Sequence, residues 1–135
     1  MRLVRSRPVA WTITGALALF IAVLSLMPNP EEIVPITLWD KLEHFLAYGA
    51  LALTLGHALA LSGWVKGRLI AGGILLSTAY GALMEGAQFF APPRTPELLD
   101  AFSNFLGSCI GVGCFLLLDF MLGRFARQGQ RDRPQ

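Results

Sequence analysis

Charged residues are scarce in this chain. Only 15% of its 135 residues are Asp, Glu, Lys or Arg, whereas 54% are hydrophobic. A soluble domain of this size has too small a core to bury so much apolar surface, so the composition argues against an ordinary soluble protein. The scarcity of charge predicts a protein that resides in a lipid bilayer.

Residues that mark disulfides, metal sites or nucleophiles are also few. Cys109 and Cys114 lie in an apolar run without C-x-x-C spacing, so we interpret them as packed, reduced thiols. The sequence contains no H-E-x-x-H-like metal motif, and no serine or cysteine stands among the polar residues as an obvious nucleophile. We therefore expect no metal and no cofactor.

Four apolar stretches are long enough to cross a membrane. They cover residues 9–27, 42–61, 69–90 and 98–122, and segments rich in proline, glycine and charge separate them. We expect the first stretch to be a retained helix, because its apolar run is long and no small-x-small cleavage site follows it. The predicted fold class is an all-α, four-transmembrane-helix bundle: one domain at 1–124 and a polar tail at 125–135.

Lysine and arginine alternate between the connections in a way that predicts orientation. Basic residues lie before the first span, between the second and third spans, and after the fourth. Because basic loops stay on the cytoplasmic side, both termini are expected inside, in the cytoplasmic membrane of a bacterium. The basic tail fits attraction to anionic lipid, and we expect no nucleic-acid partner.

Polar residues recur at helical spacing near the predicted outer ends of the second, third and fourth spans. Within a span they lie three or four residues apart and so share a face. The candidate ligand-binding set is Asp40, Lys41, His44, Tyr48, Glu85, Gln88, Arg94, Asp100 and Asn104. An ionisable side chain inside a span costs on the order of 2.5–3.5 kcal/mol, so several at one depth are expected to face one another.

Several members of this set also have purely structural interpretations. Asp40 can cap the second helix, Tyr48 can belong to an aromatic belt, and Arg94 can anchor to lipid headgroups. Asp100 is not a cap, because the Thr-Pro-Glu run at 95–97 already supplies the signals that begin a helix. Glu85 has one structural alternative, an ion pair with a basic residue of the set.

Two glycines follow the polar residues of the fourth span. Gly107 and Gly111 form a G-x-x-x-G pair on the face that carries Asn104. Such a pair allows two helices to approach closely. We expect these glycines to serve helix packing.

Three segments together resemble the VanZ-like family of small membrane proteins. They are DKLEHFLAY at 40–48, YGALMEGAQFF at 80–90 and RTPELLDAFSNFLG at 94–107. The resemblance implies that the nine polar residues above are the family's recurring polar set. It also implies work at the cell envelope, since the family is named after a protein associated with low-level resistance to the glycopeptide teicoplanin.

Three functions are compatible with such a cluster. The first is binding or remodelling of a membrane lipid or lipid-linked envelope precursor, with Lys41 and Arg94 holding a phosphate. The second is a lipid-modifying enzyme in which His44, Glu85 and Asp100 are the catalytic candidates. The third is a buried ionic lock in a partner subunit, and a homo-oligomer also stays open. By residue type alone, Asp40 and the three catalytic candidates can ligate a divalent metal.

Overall fold

The computed structural model describes residues 6–28, 40–92 and 97–131, without the side chains of Asp40 and residues 124–131. Within those residues the chain forms four helices and no strand: α1 (Arg7–Leu26), α2 (Asp40–Leu61), α3 (Lys66–Gln88) and α4 (Leu98–Arg131). All four helices contain a segment long and apolar enough to cross a membrane. The predicted all-α, four-span architecture is confirmed, while its orientation in the membrane stays a prediction.

The helix boundaries follow local signals in the sequence. A proline lies in the first turn of α1, where a backbone N–H would have no partner within the helix. After α2 ends, Gly63 adopts a φ of 82°, a conformation that favours glycine. The last helix differs from the prediction at its far end. It has 34 residues and continues to Arg131, so backbone expected to belong to the polar tail is helical.

Two apolar clusters hold the helices together. One consists of buried residues from α2, α3 and α4: Ala52, Leu55, Leu59, Leu69, Val112 and Phe115. The other joins α1 to α2 through Ile21, Tyr48 and Leu51. Since lipid surrounds the bundle, close packing between helices rather than removal of apolar surface from water stabilises these contacts.

The closest approach in the bundle is between α2 and α4. A Cβ atom at Gly107 would overlap the carbonyl oxygen of Phe45, and one at Gly111 would overlap the carbonyl oxygen of Gly49. From the other side, a Cβ at Gly49 would lie 3.3 Å from the Gly107 carbonyl oxygen. The two backbones therefore touch, and the packing role predicted for the G-x-x-x-G pair is confirmed.

Hydrogen bonds near both ends of α1 show which helix ends lie together. Near its beginning, Trp11 Nε1 donates to Ser62 Oγ just after α2, at 3.0 Å. Near its end, Ser25 O accepts from Gln88 Nε2 at the end of α3, at 3.2 Å. These two bonds place the start of α2 and the end of α3 at one end of the bundle, and the ion pair between Lys41 and Asp100 brings the start of α4 to the same end.

Replacement of Gly111 by alanine is expected to destabilise the bundle. The added methyl group would overlap the α2 backbone, which cannot yield as a flexible side chain would. We expect the free energy of unfolding to fall by about 2 kcal/mol, as for other overpacking substitutions. Gly113→Ala is the matched control, because nothing lies within 4 Å of a Cβ at that position. Thermal unfolding in detergent measures both, and equal melting temperatures would contradict the close α2–α4 contact.

Candidate functional site

Lys41 lies in the first turn of α2, where its ammonium group meets two carboxylates at the start of α4. Lys41 Nζ is 2.5 Å from Glu97 Oε2 and 2.8 Å from Asp100 Oδ1. The contact with Asp100 has the distance of an ion pair but not the angles of a hydrogen bond, because Oδ1 accepts no hydrogen bond. Asp100 is only 4% exposed, so Lys41 compensates a charge withdrawn from water.

His44 lies one turn further along α2 and faces both α3 and α4. Its Nδ1 is 3.1 Å from Asn104 Oδ1 and 3.6 Å from Glu85 Oε1. Its Nε2 is 3.7 Å from Asp100 Oδ2. An amide oxygen can only accept, so the contact with Asn104 requires Nδ1 to carry the proton. The imidazole is therefore held between an amide and two carboxylates.

Glu85 on α3 points into the bundle and not toward lipid. It is 7% exposed, and its Oε2 accepts a hydrogen bond from the backbone N–H of Glu97 at 3.2 Å. That N–H belongs to the residue just before α4, where the unsatisfied amides and the helix dipole favour a nearby anion. The start of α4 therefore helps to hold the buried Glu85 carboxylate.

Three helices thus bring polar side chains into one group, which we call the polar cluster. It consists of Lys41, His44, Glu85, Glu97, Asp100 and Asn104. At its centre, one nitrogen of His44 and one carboxylate oxygen each of Glu85 and Asp100 lie within 4.8 Å of one another. Such convergence brings together groups that can transfer protons, bind hydroxyl and amino groups, or ligate a cation.

The polar cluster is deficient in positive charge among the residues that the structure describes. It contains one lysine and three carboxylates, so its formal charge is about −2 when the imidazole is neutral. Glu97 is half exposed and is screened by water, but Glu85 and Asp100 are buried. The carboxylate oxygens of these described residues can accept hydrogen bonds from amines or ligate a metal ion.

The remaining predicted residues do not all join the cluster. Tyr48 is 1% exposed and stacks in parallel on His44, with ring centroids 6.3 Å apart, one turn deeper than the cluster. Gln88 is buried but donates to Ser25 O of α1. Arg94 and the side chain of Asp40 lie outside the described residues, so their predicted roles stay predictions.

Sequence reasoning missed two serines that extend the polar stripe inward. Ser108 Oγ lies 2.8 Å from Asn104 O and 2.9 Å from Ser77 Oγ, and Ser77 Oγ donates to Tyr48 O at 3.3 Å. Both serines are fully buried. Ser108 is four residues after Asn104, so the spacing that identified the stripe predicts it as well.

Glu97 is the other cluster residue that the sequence analysis did not select. It was interpreted only as part of the signal that begins α4. Its side chain contacts Lys41 and its backbone N–H contacts Glu85, so it links α2 to α3. A phosphate bound by Lys41 would have to compete with Glu97 and Asp100, which weakens the phosphate role predicted for this lysine.

The chain matches no protein-family model, no curated protein and no solved structure. Function therefore has to be inferred from the chemistry of the polar cluster and its place in the bundle.

Removal of the Lys41 charge should destabilise the protein through Asp100. Lys41→Met leaves a buried carboxylate without the cation beside it, and we expect the free energy of unfolding to fall by on the order of 3 kcal/mol. Asp100→Asn in the same chain should recover much of that loss, since it removes the uncompensated charge. Lys66→Met, on an exposed residue at the opposite end of the bundle, is the control. Strictly additive effects of the two substitutions on thermal unfolding would refute the pairing.

Proposed function

We propose that this chain is a VanZ-like protein of a bacterial cytoplasmic membrane that binds or remodels an amphiphilic lipid or lipid-linked headgroup. The observation that supports this function is the convergence of His44, Glu85 and Asp100 from three helices. Ionisable residues are costly to insert into a membrane. Where several gather in one place, a ligand, a proton or an ion offsets the cost of burying them. The sequence resemblance to the VanZ-like family supports the same assignment to the cell envelope.

The orientation that we propose puts the polar cluster in the outer half of the membrane. Arg7 at the start of α1 and Lys66 and Arg68 at the start of α3 lie at the opposite end of the bundle, and basic residues favour a cytoplasmic location for that end. The cluster then opens toward the exterior. A headgroup in the outer leaflet would reach it without crossing the hydrocarbon core.

Apolar side chains beside the cluster support an amphiphilic ligand. Phe89 and Phe90 follow α3 and are 72% and 82% exposed, while Leu98 and Leu99 at the start of α4 are 90% and 63% exposed. These side chains and the buried carboxylates belong to the same end of the bundle. A ligand with a polar head and an apolar tail would satisfy both surfaces at once.

The charges of the cluster favour one part of such a headgroup over another. Glu85 and Asp100 would accept from amino and hydroxyl groups, and Asn104 carries a buried Nδ2 without a hydrogen-bond partner. Phosphate recognition would fall to Lys41 together with Arg94, as the sequence predicts. A headgroup that carries an amino group or a sugar next to a phosphate would contact both the acceptor side chains and the two basic residues.

A lipid should co-purify with the protein after gentle extraction and should depend on the cluster. Native mass spectrometry with lipid analysis identifies it directly. We expect Asp100→Asn to lower its occupancy at least about 10-fold, because a buried charged partner of the headgroup is lost. Asp119→Asn, the same chemical change on an exposed residue of α4, should retain the lipid.

The phosphate-holding roles have a separate test in the same measurement. A Lys41→Ala, Arg94→Ala double variant should lose phosphate-bearing lipid if these residues hold the phosphate. Retention of the lipid in that variant would refute their role. Equal lipid content in all variants would refute headgroup binding at the cluster.

A lipid-modifying enzyme is the second candidate, and the contacts of His44 favour it. The imidazole lies 3.6 Å from one buried carboxylate and 3.7 Å from another, so the three groups can exchange protons with a ligand bound among them. Such an enzyme would activate water or a ligand hydroxyl rather than use a serine nucleophile. The Ser77 and Ser108 hydroxyl groups contact each other and backbone carbonyls instead of His44.

Turnover of purified envelope lipids distinguishes the enzyme from the binding protein. If the chain is an enzyme, Glu85→Gln should lower kcat at least about 100-fold, as expected for loss of an acid–base group, while the lipid still binds. Glu43→Gln is the control, since Glu43 lies on the exposed face of the same end of α2. A wild-type protein that binds lipid but leaves it unchanged would exclude the enzyme for the lipids tested.

The ionic lock is the third candidate, favoured by the Lys41–Asp100 contact at 2.8 Å. In that case the cluster stabilises the bundle and binds no ligand. Strong coupling between Lys41 and Asp100 in thermal unfolding, combined with no lipid dependence on Asp100, would support the lock. Lipid loss at unchanged protein abundance would contradict it.

A further inference from the structure

We propose that His44, Glu85 and Asp100 form a binding site for one divalent transition-metal ion, with zinc as the ion to test first. Each residue comes from a different helix, so the site exists only in the folded bundle. Neither the proposed lipid binding nor the family resemblance requires a metal. The inference can therefore fail or succeed independently of the proposed function.

The distances suit one ion with modest side-chain adjustment. Donor atoms of the three residues lie within 4.8 Å of one another. Two ligands of the same zinc ion, each bound at about 2.1 Å, are separated by about 3.4 Å in tetrahedral geometry and by at most about 4.2 Å. Side-chain rotations that move the donor atoms of the imidazole and of one carboxylate by about an ångström would bring all three donors within bonding distance of one ion.

Asp100 has a buried carboxylate oxygen that is not satisfied by a hydrogen bond. Its side chain is 4% exposed, and Oδ1 accepts no hydrogen bond although Lys41 Nζ lies 2.8 Å away. The other carboxylate oxygen, Oδ2, faces His44 Nε2 at 3.7 Å. Lys41 thus supplies charge to Asp100, but the buried Oδ1 lacks the hydrogen bond that usually satisfies such an atom.

Asn104 prepares His44 to act as a ligand. Its side chain is completely buried, and its Oδ1 accepts a hydrogen bond from His44 Nδ1 at 3.1 Å. In the tautomer with the proton on Nδ1, the lone pair lies on Nε2, the nitrogen 3.7 Å from Asp100 Oδ2, so an ion between these two atoms would have a ligand on each side. Metal-bound histidines are commonly oriented in this way by an acceptor on the other ring nitrogen.

The donor set selects the class of ion. Imidazole nitrogen favours zinc and other transition metals over magnesium and calcium, which prefer sites made entirely of oxygen. Three protein ligands leave a coordination position open, as in catalytic zinc sites. The neighbouring Lys41 charge lowers the affinity for any cation, but it acts on Oδ1 of Asp100 and leaves Oδ2 facing His44.

Metal titration of the untagged, full-length chain in detergent tests the site without any lipid. The protein is first stripped with EDTA and then titrated with Zn²⁺ by calorimetry, and with Co²⁺ by visible absorption. We expect one ion per chain. Because each substitution removes a direct ligand, Glu85→Gln, Asp100→Asn and His44→Ala should each weaken Zn²⁺ binding by more than about 100-fold, beyond the effect of losing an outer-shell partner.

Glu97→Gln is the matched control for Glu85→Gln. It makes the same chemical change in the same cluster, but Glu97 is not one of the three converging residues. Its Zn²⁺ affinity should stay within about 3-fold of the wild type, because it is half exposed and contacts Lys41 rather than the proposed ion. Zinc binding that weakens equally in this control would assign the effect to net charge and overturn the proposal.

Metal binding by the wild-type chain tests the site even if the variants fold poorly. Absence of a Co²⁺ ligand-field spectrum, together with absence of stoichiometric Zn²⁺ binding, would overturn the metal site. Stoichiometric binding that persists in a Glu85→Gln, Asp100→Asn double variant would also overturn it, because the ion would then bind elsewhere.

Discussion

The direct contact between the backbones of α2 and α4 is the constraint on which the site depends. With glycine at positions 107 and 111, the two helices lie closer together than any side chain would permit. Side chains in the first turns of both helices are thereby placed opposite each other, within hydrogen-bonding or ion-pair distance. Separation of the helices by the width of a methyl group would break the contact between His44 and Asn104 at 3.1 Å, and a buried amide would lose its partner.

Much of this arrangement could be predicted from the sequence, because the membrane restricts the alternatives. Apolar runs of spanning length predict helices, and ionisable residues within them are expected to face inward. Glu85 illustrates the strength of that constraint: it stands in a long apolar run and is 7% exposed beside His44. The spacing of Asp100 and Asn104 on one helix face was likewise enough to bring both toward α2.

Other features depend on which helix packs against which face, and spacing along one helix does not contain that information. Gln88 is three residues from Glu85, yet it contacts α1, because residues at this spacing diverge by about 60° around the helix axis. Gly81 looks unremarkable in the sequence, but a Cβ there would lie 2.7 Å from Asn104 Nδ2. Glu97 was not selected from the sequence because it lies at the start of a helix, where an acidic residue is already explained by its favourable interaction with the helix dipole.

The length of α4 exceeds what is needed to cross a membrane. Its 34 residues extend over about 51 Å, well beyond a hydrocarbon core of about 30 Å. Asp100 and Arg131 thus belong to one continuous helix, whose closest contact with α2, at Gly107 and Gly111, lies much nearer to Asp100.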